Sequence, residues 1–245
     1  MRAELSAEAQ RWFLTALARD PRNVEALTGL ALTCQRLVSN PWWGDPRARA
    51  ALSDLGQEAV TLALELEPAH APAKSIQGML YSAAGRLEEA ADAFVQALAF
   101  DERLAPTHAF AGYNAALLGR AWETLPAVER AMQLEPTDRR HSVWYFFGGF
   151  AELLLGRTEA AIALLGKSLE RNPTSGAAQL FLMAALCLTG QHHKAAGMAE
   201  SFRQRYSESP VSAFEQLWLS RSASPVYRAQ VYPLFEEIRA LGAVS

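Results

Sequence analysis

Residues 71–102, APAKSIQGMLYSAAGRLEEAADAFVQALAFDE, constrain this chain more than any other stretch. They predict two short amphipathic helices separated by a tight break at Gly85-Arg86. Ile76, Met79 and Leu80 before the break, and Leu87, Ala90, Phe94, Ala97 and Leu98 after it, recur at helical spacing. Glycine leaves a helix in a left-handed conformation at low cost, which suits Gly85 to the break. Helices this short are not stable alone, so each must lean on a neighbour.

The pattern repeats, and the repetition sets the fold class. Gly78, Tyr81, Gly85, Ala90, Phe94 and Ala97 are followed by Gly112, Gly119, Val128, Ala131 and Pro136. Gly149, Gly156, Ala161, Leu165 and Pro173 come next, then Gly190, Ala195 and Pro210; Pro21 and Pro68 close earlier units. Pro68, Glu102 and Pro136 are spaced 34 residues apart, and Pro173 and Pro210 follow at intervals of 37. On these residues the chain resembles a tetratricopeptide repeat (TPR) protein over nearly its whole length, most clearly in 71–136. The resemblance implies an all-α fold: a right-handed α-solenoid of TPR helix pairs with a C-terminal capping helix. One domain over 1–245, of five to six helix-pair units, is expected, since a solenoid grows by adding repeats.

Composition agrees. Of 245 residues, 50% are hydrophobic and 20% charged, an ordinary globular balance. A net charge of -3 argues against nucleic acid as a main partner. Lys74, Lys167 and Lys194 are the only lysines, and the heavy use of Ala and Arg suggests a GC-rich bacterial genome. Cys34 and Cys187 sit inside helical patterns far apart, as buried free thiols in a reducing compartment do. No charged-then-apolar leader opens the chain and no run of about 20 apolar residues crosses a bilayer, so a cytoplasmic location is expected, without a membrane partner.

Residues 6–19 predict one helix, with Ser6 as N-cap and Glu8 in its first turn. Ala9, Phe13, Ala16 and Pro21 match the second half of a TPR unit without the first. Either this helix caps the solenoid, or the chain comes from a longer parent; Trp12, Phe13 and Leu17 leave little room for the polar outer face of a cap and favour the second. A helix over 22–39 follows, then an insertion, 40–46, reading Asn-Pro-Trp-Trp-Gly-Asp-Pro, and a long helix over 46–66 opened by Asp45 and Pro46. Insertions in repeat proteins map to loops and often to working surfaces. Trp42 and Trp43 are therefore contact candidates, against the alternative that they fold back over the stretched helix pair.

A narrower resemblance begins at residue 137. Asp138-Arg139-Arg140-His141 with aromatics, followed by Leu155-Gly156-Arg157, is similar to the TPR regions C-terminal to bacterial class III adenylate/guanylate cyclases and to some winged-helix transcriptional activators. The terminal helix, 225–241, stopped at Gly242, fits the same regions. The resemblance covers repeats only, so neither a cyclase nor a DNA-binding activity carries over. It does support a second reading, in which the chain is the regulatory or assembly region of a longer signalling protein.

In TPR proteins the first helix of each pair lines a concave groove. That frame places Ser75 and Met79, Ala109 and Tyr113, Phe146 and Phe150, and Leu180 and Ala184 on the groove wall. The wall is apolar and aromatic. The Lys/Asn/Arg clamp with which chaperone-binding TPR domains hold a terminal carboxylate is missing at these positions. An apolar groove calls for an occupant. A partner's amphipathic helix or extended segment would fill it. So would the chain's own last helix, with Val231, Leu234, Phe235, Ile238 and Leu241 in one stripe; the third reading packs the aromatics between repeats and leaves no pocket. Met79, Tyr113, Phe146, Phe150 and Leu180 are the partner-binding candidates.

Polar candidates point nowhere specific. His192 and His193 are adjacent, whereas metal ligands on a helix sit three or four apart. Arg139, Arg140 and His141 form a basic corner, and Glu88, Glu89 and Asp92 a solvated face. No nucleotide, redox or zinc-protease motif occurs, so no catalysis, metal or cofactor is expected. The expected function is a non-catalytic protein–protein interaction scaffold that binds a protein or peptide segment, with a homodimer through the end repeats left open.

Overall fold

The computed structural model describes residues 2–39, 46–137, 140–206 and 211–241, and every regular element among them is helical. Two compact units divide the chain, Met1–Thr107 and His108–Ser245. The insertion residues Trp42 and Trp43, with Asp138, Arg139, Pro210 and Gly242, lie outside the described residues.

The first unit holds α1 (Arg2–Arg19), α2 (Val24–Val38), α3 (Pro46–Leu66), α4 (Ala71–Ala83) and α5 (Leu87–Phe100). Helix α1 starts four residues earlier than Ser6, so Ser6 lies inside the helix and is not its cap. Ala, Glu and Leu around it are good helix formers, and a single Ser does not stop them. Helix α2 is capped as its sequence suggests: the Asn23 side chain accepts from the Ala26 N–H at 2.8 Å. His70 caps α4 through Nδ1, which accepts from the Ala73 N–H at 3.2 Å, and its Nε2 lies 3.3 Å from the Glu25 carboxylate. The cap fixes the tautomer, because an accepting Nδ1 leaves the proton on Nε2. Helices α2, α3 and α4 share one core of Leu27, Leu30, Ala31, Cys34, Val60, Ala63, Ile76 and Leu80, against which Phe13 and Leu17 of α1 pack.

The second unit takes over within α6 (Ala105–Leu117), then runs through a 3-10 turn (Ala121–Glu123), α7 (Thr124–Leu134), α8 (His141–Leu154), α9 (Thr158–Arg171), α10 (Gly176–Leu188) and α11 (His192–Arg205). Two more helices close it, α12 (Val211–Ser220) and α13 (Pro225–Ala240). Within this unit α8 contacts α7, α9 and α10, and α10 also contacts α11.

Two local devices make the helix pairs. The first is the turn. Gly85, Gly119, Gly156 and Gly190 have φ of 77°, 86°, 72° and 73°, the left-handed region that a side chain resists. Each is followed by the same closing bond from the next N–H to the carbonyl five residues back: Arg86 to Tyr81, Arg120 to Ala115, Arg157 to Glu152 and Gln191 to Leu186, at 2.8–2.9 Å.

The second device is the close approach of the paired helices. A Cβ on Gly78 would lie 2.7 Å from the Phe94 ring, and one on Gly149 would lie 2.7 Å from Leu165 Cγ. The glycines let a large side chain of the second helix rest on the backbone of the first. Phe94 and Leu165 are buried to 1% and 0% exposure there.

This predicts opposite outcomes for one kind of substitution. Gly149→Ala should destabilise the protein by about 1–3 kcal/mol through overpacking. Gly166→Ala, on α9 where an added Cβ meets nothing within 4 Å, should stabilise it by about 0.5–1 kcal/mol. Urea unfolding midpoints of the two variants, moving apart on either side of the parent, are the check.

Candidate functional site

The wall residues proposed from the sequence all occupy first helices of their pairs, and all are buried. Met79, in the first unit, is 5% exposed; Ser75 beside it accepts a hydrogen bond from the Thr107 hydroxyl at 2.7 Å. In the second unit Tyr113 and Phe146 retain 7% and 8%, while Phe150 and Leu180 are fully covered.

What packs on Phe146 and Phe150 is the chain's own end. Trp218 of α12 sits among Phe146, Phe150 and Phe181, with ring centroids at 6.0, 5.2 and 4.8 Å. Its ring stands edge-on to Phe181 at 89°, a favourable quadrupole arrangement. Tyr227 and Phe235 of α13 reach Phe150 and Phe181 at 6.4 and 6.1 Å. Beneath this layer Tyr113 stacks on Phe147 at 4.4 Å and 15°. Residues of α12 and α13 thus pack on Phe146, Phe150 and Phe181.

The sequence explains why α13 lies there. Tyr227, Val231, Leu234, Phe235 and Ile238 fall on one helical face, and none exceeds 3% exposure. Leu241, counted with that stripe, is the helix C-cap and only partly buried. Ser224 caps the helix, its Oγ accepting from the Tyr227 N–H, and also donates to the Leu118 carbonyl at 3.3 Å. A Cβ on Gly119 would lie 2.9 Å from both Ser224 Oγ and Val226 Cβ, so this turn glycine also admits the start of α13. The Tyr227 hydroxyl donates to the Trp218 carbonyl at 2.9 Å and ties α13 to α12. Burial holds that phenol well above its ordinary pKa, with the neighbouring Tyr113 adding to the rise and Arg221 opposing it.

Helix α12 is the element the sequence reading missed. Phe214 and Trp218, four residues apart and 3% and 2% exposed, were its available signal.

The polar candidates are dispersed. His192 and His193 are exposed at the start of α11. Arg140 pairs with Glu135, and His141 Nε2 lies 2.7 Å from the Glu135 carbonyl, so these two serve the turn into α8. Glu88, Glu89 and Asp92 are exposed on α5, where Arg86 pairs with Glu89 and holds its carboxyl below the usual range. Among the described residues no three His, Cys, Asp or Glu side chains gather as a metal site would require. None of the described helices is long and apolar enough to cross a membrane.

Comparison with solved structures supports the same architecture. The thermophilic TPR protein TTC0263 of Thermus thermophilus superposes with a TM-score of 0.57 at 23% identity, over 74% of this chain and 90% of its own. A structure from work on Pseudomonas aeruginosa pilF gives 0.63 at 18% identity, over 92% and 90%. The APC/C hetero-tetramer Cut9-Hcn1 gives 0.73 at 16% identity, over 87% of this chain and 39% of that one. No family model and no curated protein sequence matches the chain. The fold is an all-α, TPR-like solenoid, and at these identities the likeness speaks for fold alone.

Two outcomes follow from the burial. Phe150→Ala opens a cavity under Trp218 and should cost about 3–5 kcal/mol, read as a lower urea midpoint. Burial pushes Cys34 and Cys187 each up to about 11, the Glu237 charge adding to the rise at Cys187. At pH 8 such a thiol is thiolate to roughly one part in a thousand, so a disulfide reagent should label the native protein slowly and both thiols at once in guanidinium.

Proposed function

We propose that this protein is a non-catalytic interaction scaffold of a single TPR domain. Its partner surface is the first-helix wall of the second unit, made by Tyr113, Phe146, Phe150 and Leu180, with Met79 as the corresponding position in the first unit. Trp42 and Trp43 are proposed as a further contact. The partner is a protein segment that presents one apolar, aromatic helical face.

One observation carries this reading: the wall is already occupied by such a face. The packing of Trp218, Tyr227 and Phe235 on Phe150 and Phe181 supports a partner of the same kind, an amphipathic helix laid against a groove. Because α12 and α13 hold the wall, a partner competes with them. Its apparent affinity falls by the fraction of molecules in which the wall is free. The contact is also imperfect. Trp218 Nε1, Arg221 Nε and Gln230 Oε1 are buried without a hydrogen-bond partner, and each such group weakens the docked state.

The test uses the helix pair itself as probe. Phe235→Glu places a charge in the buried face of α13 and leaves the wall intact. A labelled peptide of residues 211–241 added to that variant should bind with saturation, and should bind the parent far less. Phe150→Glu, with helicity verified by circular dichroism, should abolish binding. Equal binding to all three proteins would reject the wall as a receptor for a helix.

A further inference from the structure

Arg221 lies in the turn between α12 and α13 and is half-buried. Its guanidinium carbon stands 4.6 Å from the centre of the Trp218 ring, close enough for that π-face to hold the cation. Its Nε is buried and bonded to nothing, and no described carboxylate pairs with it. Trp218 Nε1, on the ring below, is a second buried donor without an acceptor.

Two phenols adjoin the same cation. Tyr227 donates its proton to the Trp218 carbonyl at 2.9 Å, whereas the Tyr113 oxygen accepts from the Arg221 guanidinium and keeps its own proton to donate. Burial raises both phenols above their ordinary range, so both remain protonated donors. Arg228, seven residues on, is tied by its Nε to the Ser222 carbonyl at 3.0 Å. The neighbourhood therefore holds one positive charge with no described carboxylate beside it, and two buried donors, Arg221 Nε and Trp218 Nε1, that lack acceptors. Water can balance such a group at an open surface. Beside Trp218, Tyr113 and Tyr227, exposed to 2%, 7% and 0%, it is largely excluded.

We propose that Arg221 and Tyr113 form a binding site for a single carboxylate group, which enters at the partly exposed edge of the guanidinium. The guanidinium supplies the charge and a planar fork matched to two oxygens, and the phenol supplies a further donor. The Trp218 π-face supports the cation from one side. A single guanidinium matches a single negative charge, which favours a carboxylate over a phosphate dianion. The site does not depend on the wall accepting a partner helix.

The arginine side-chain N–H signals of ¹⁵N-labelled full-length protein read this directly. The Arg221 signal is identified by its loss in Arg221→Lys. Acetate is titrated at constant ionic strength against chloride, and inorganic phosphate in a parallel series. Acetate should move the Arg221 signal to saturation while chloride leaves it in place and other arginines stay still. Tyr113→Phe, which keeps the stacked ring, should weaken acetate about threefold to tenfold; the titration of the parent decides alone if that variant does not fold. An unmoved Arg221 signal, or one that moves in step with every other arginine, overturns the site. Tighter phosphate than acetate binding overturns the carboxylate assignment.

Discussion

Contact between a large side chain and a bare backbone holds these helix pairs together. Phe94 rests on Gly78 and Leu165 on Gly149, each at a distance that any Cβ would violate. Dispersion attraction is short-ranged, so a shift of an ångström forfeits much of it. The turn glycines then fix the angle at which the second helix returns. Gly85, Gly119, Gly156 and Gly190 hold one conformation, and each hairpin closes with the same hydrogen bond. Stacking of hairpins in each unit depends on those two local geometries being met first.

The C-terminal helices use different physics. Helix α13 meets a glycine only at its start, where Val226 packs on Gly119; beyond that, α12 and α13 close on the aromatic wall with Trp218, Tyr227 and Phe235. Aromatic groups bury much area per residue, which suits a short element that must hold by few contacts. The same closure strands Trp218 Nε1, Arg221 Nε and Gln230 Oε1 away from any partner. Apolar burial outweighs these penalties in the folded chain.

Much of this was legible in the sequence, for reasons that differ by element. The four turn glycines were readable because a positive φ excludes most side chains. Pro46 and Pro225 marked helix starts, since a missing N–H costs nothing in a first turn. The stripe Val231, Leu234, Phe235 and Ile238 was readable as a buried face. Its partner was not, because periodicity shows that a face is covered and not by what. The same limit hid the packing of Phe150 against Trp218 of α12. Ser6 misled because a capping residue is also tolerated inside a helix when its neighbours favour one. Arg221 carried no signal at all: an arginine in a turn reads as solvent-facing, and only the fold brings Tyr113 and Trp218 around it.

Gly119 has a consequence for the order of assembly. It closes the α6 hairpin within a few residues, yet it also receives Ser224 and Val226, and the Ser224 bond to Leu118 spans 106 residues of sequence. Hairpins form from near neighbours and are fast, whereas this contact must wait for a long segment to return and bear its closure entropy. On a chain emerging from the ribosome, the aromatic wall is complete before the helix that covers it has been synthesised. For that interval every new molecule carries Phe146, Phe150 and Phe181 uncovered, at the stage when a hydrophobic surface is most readily captured.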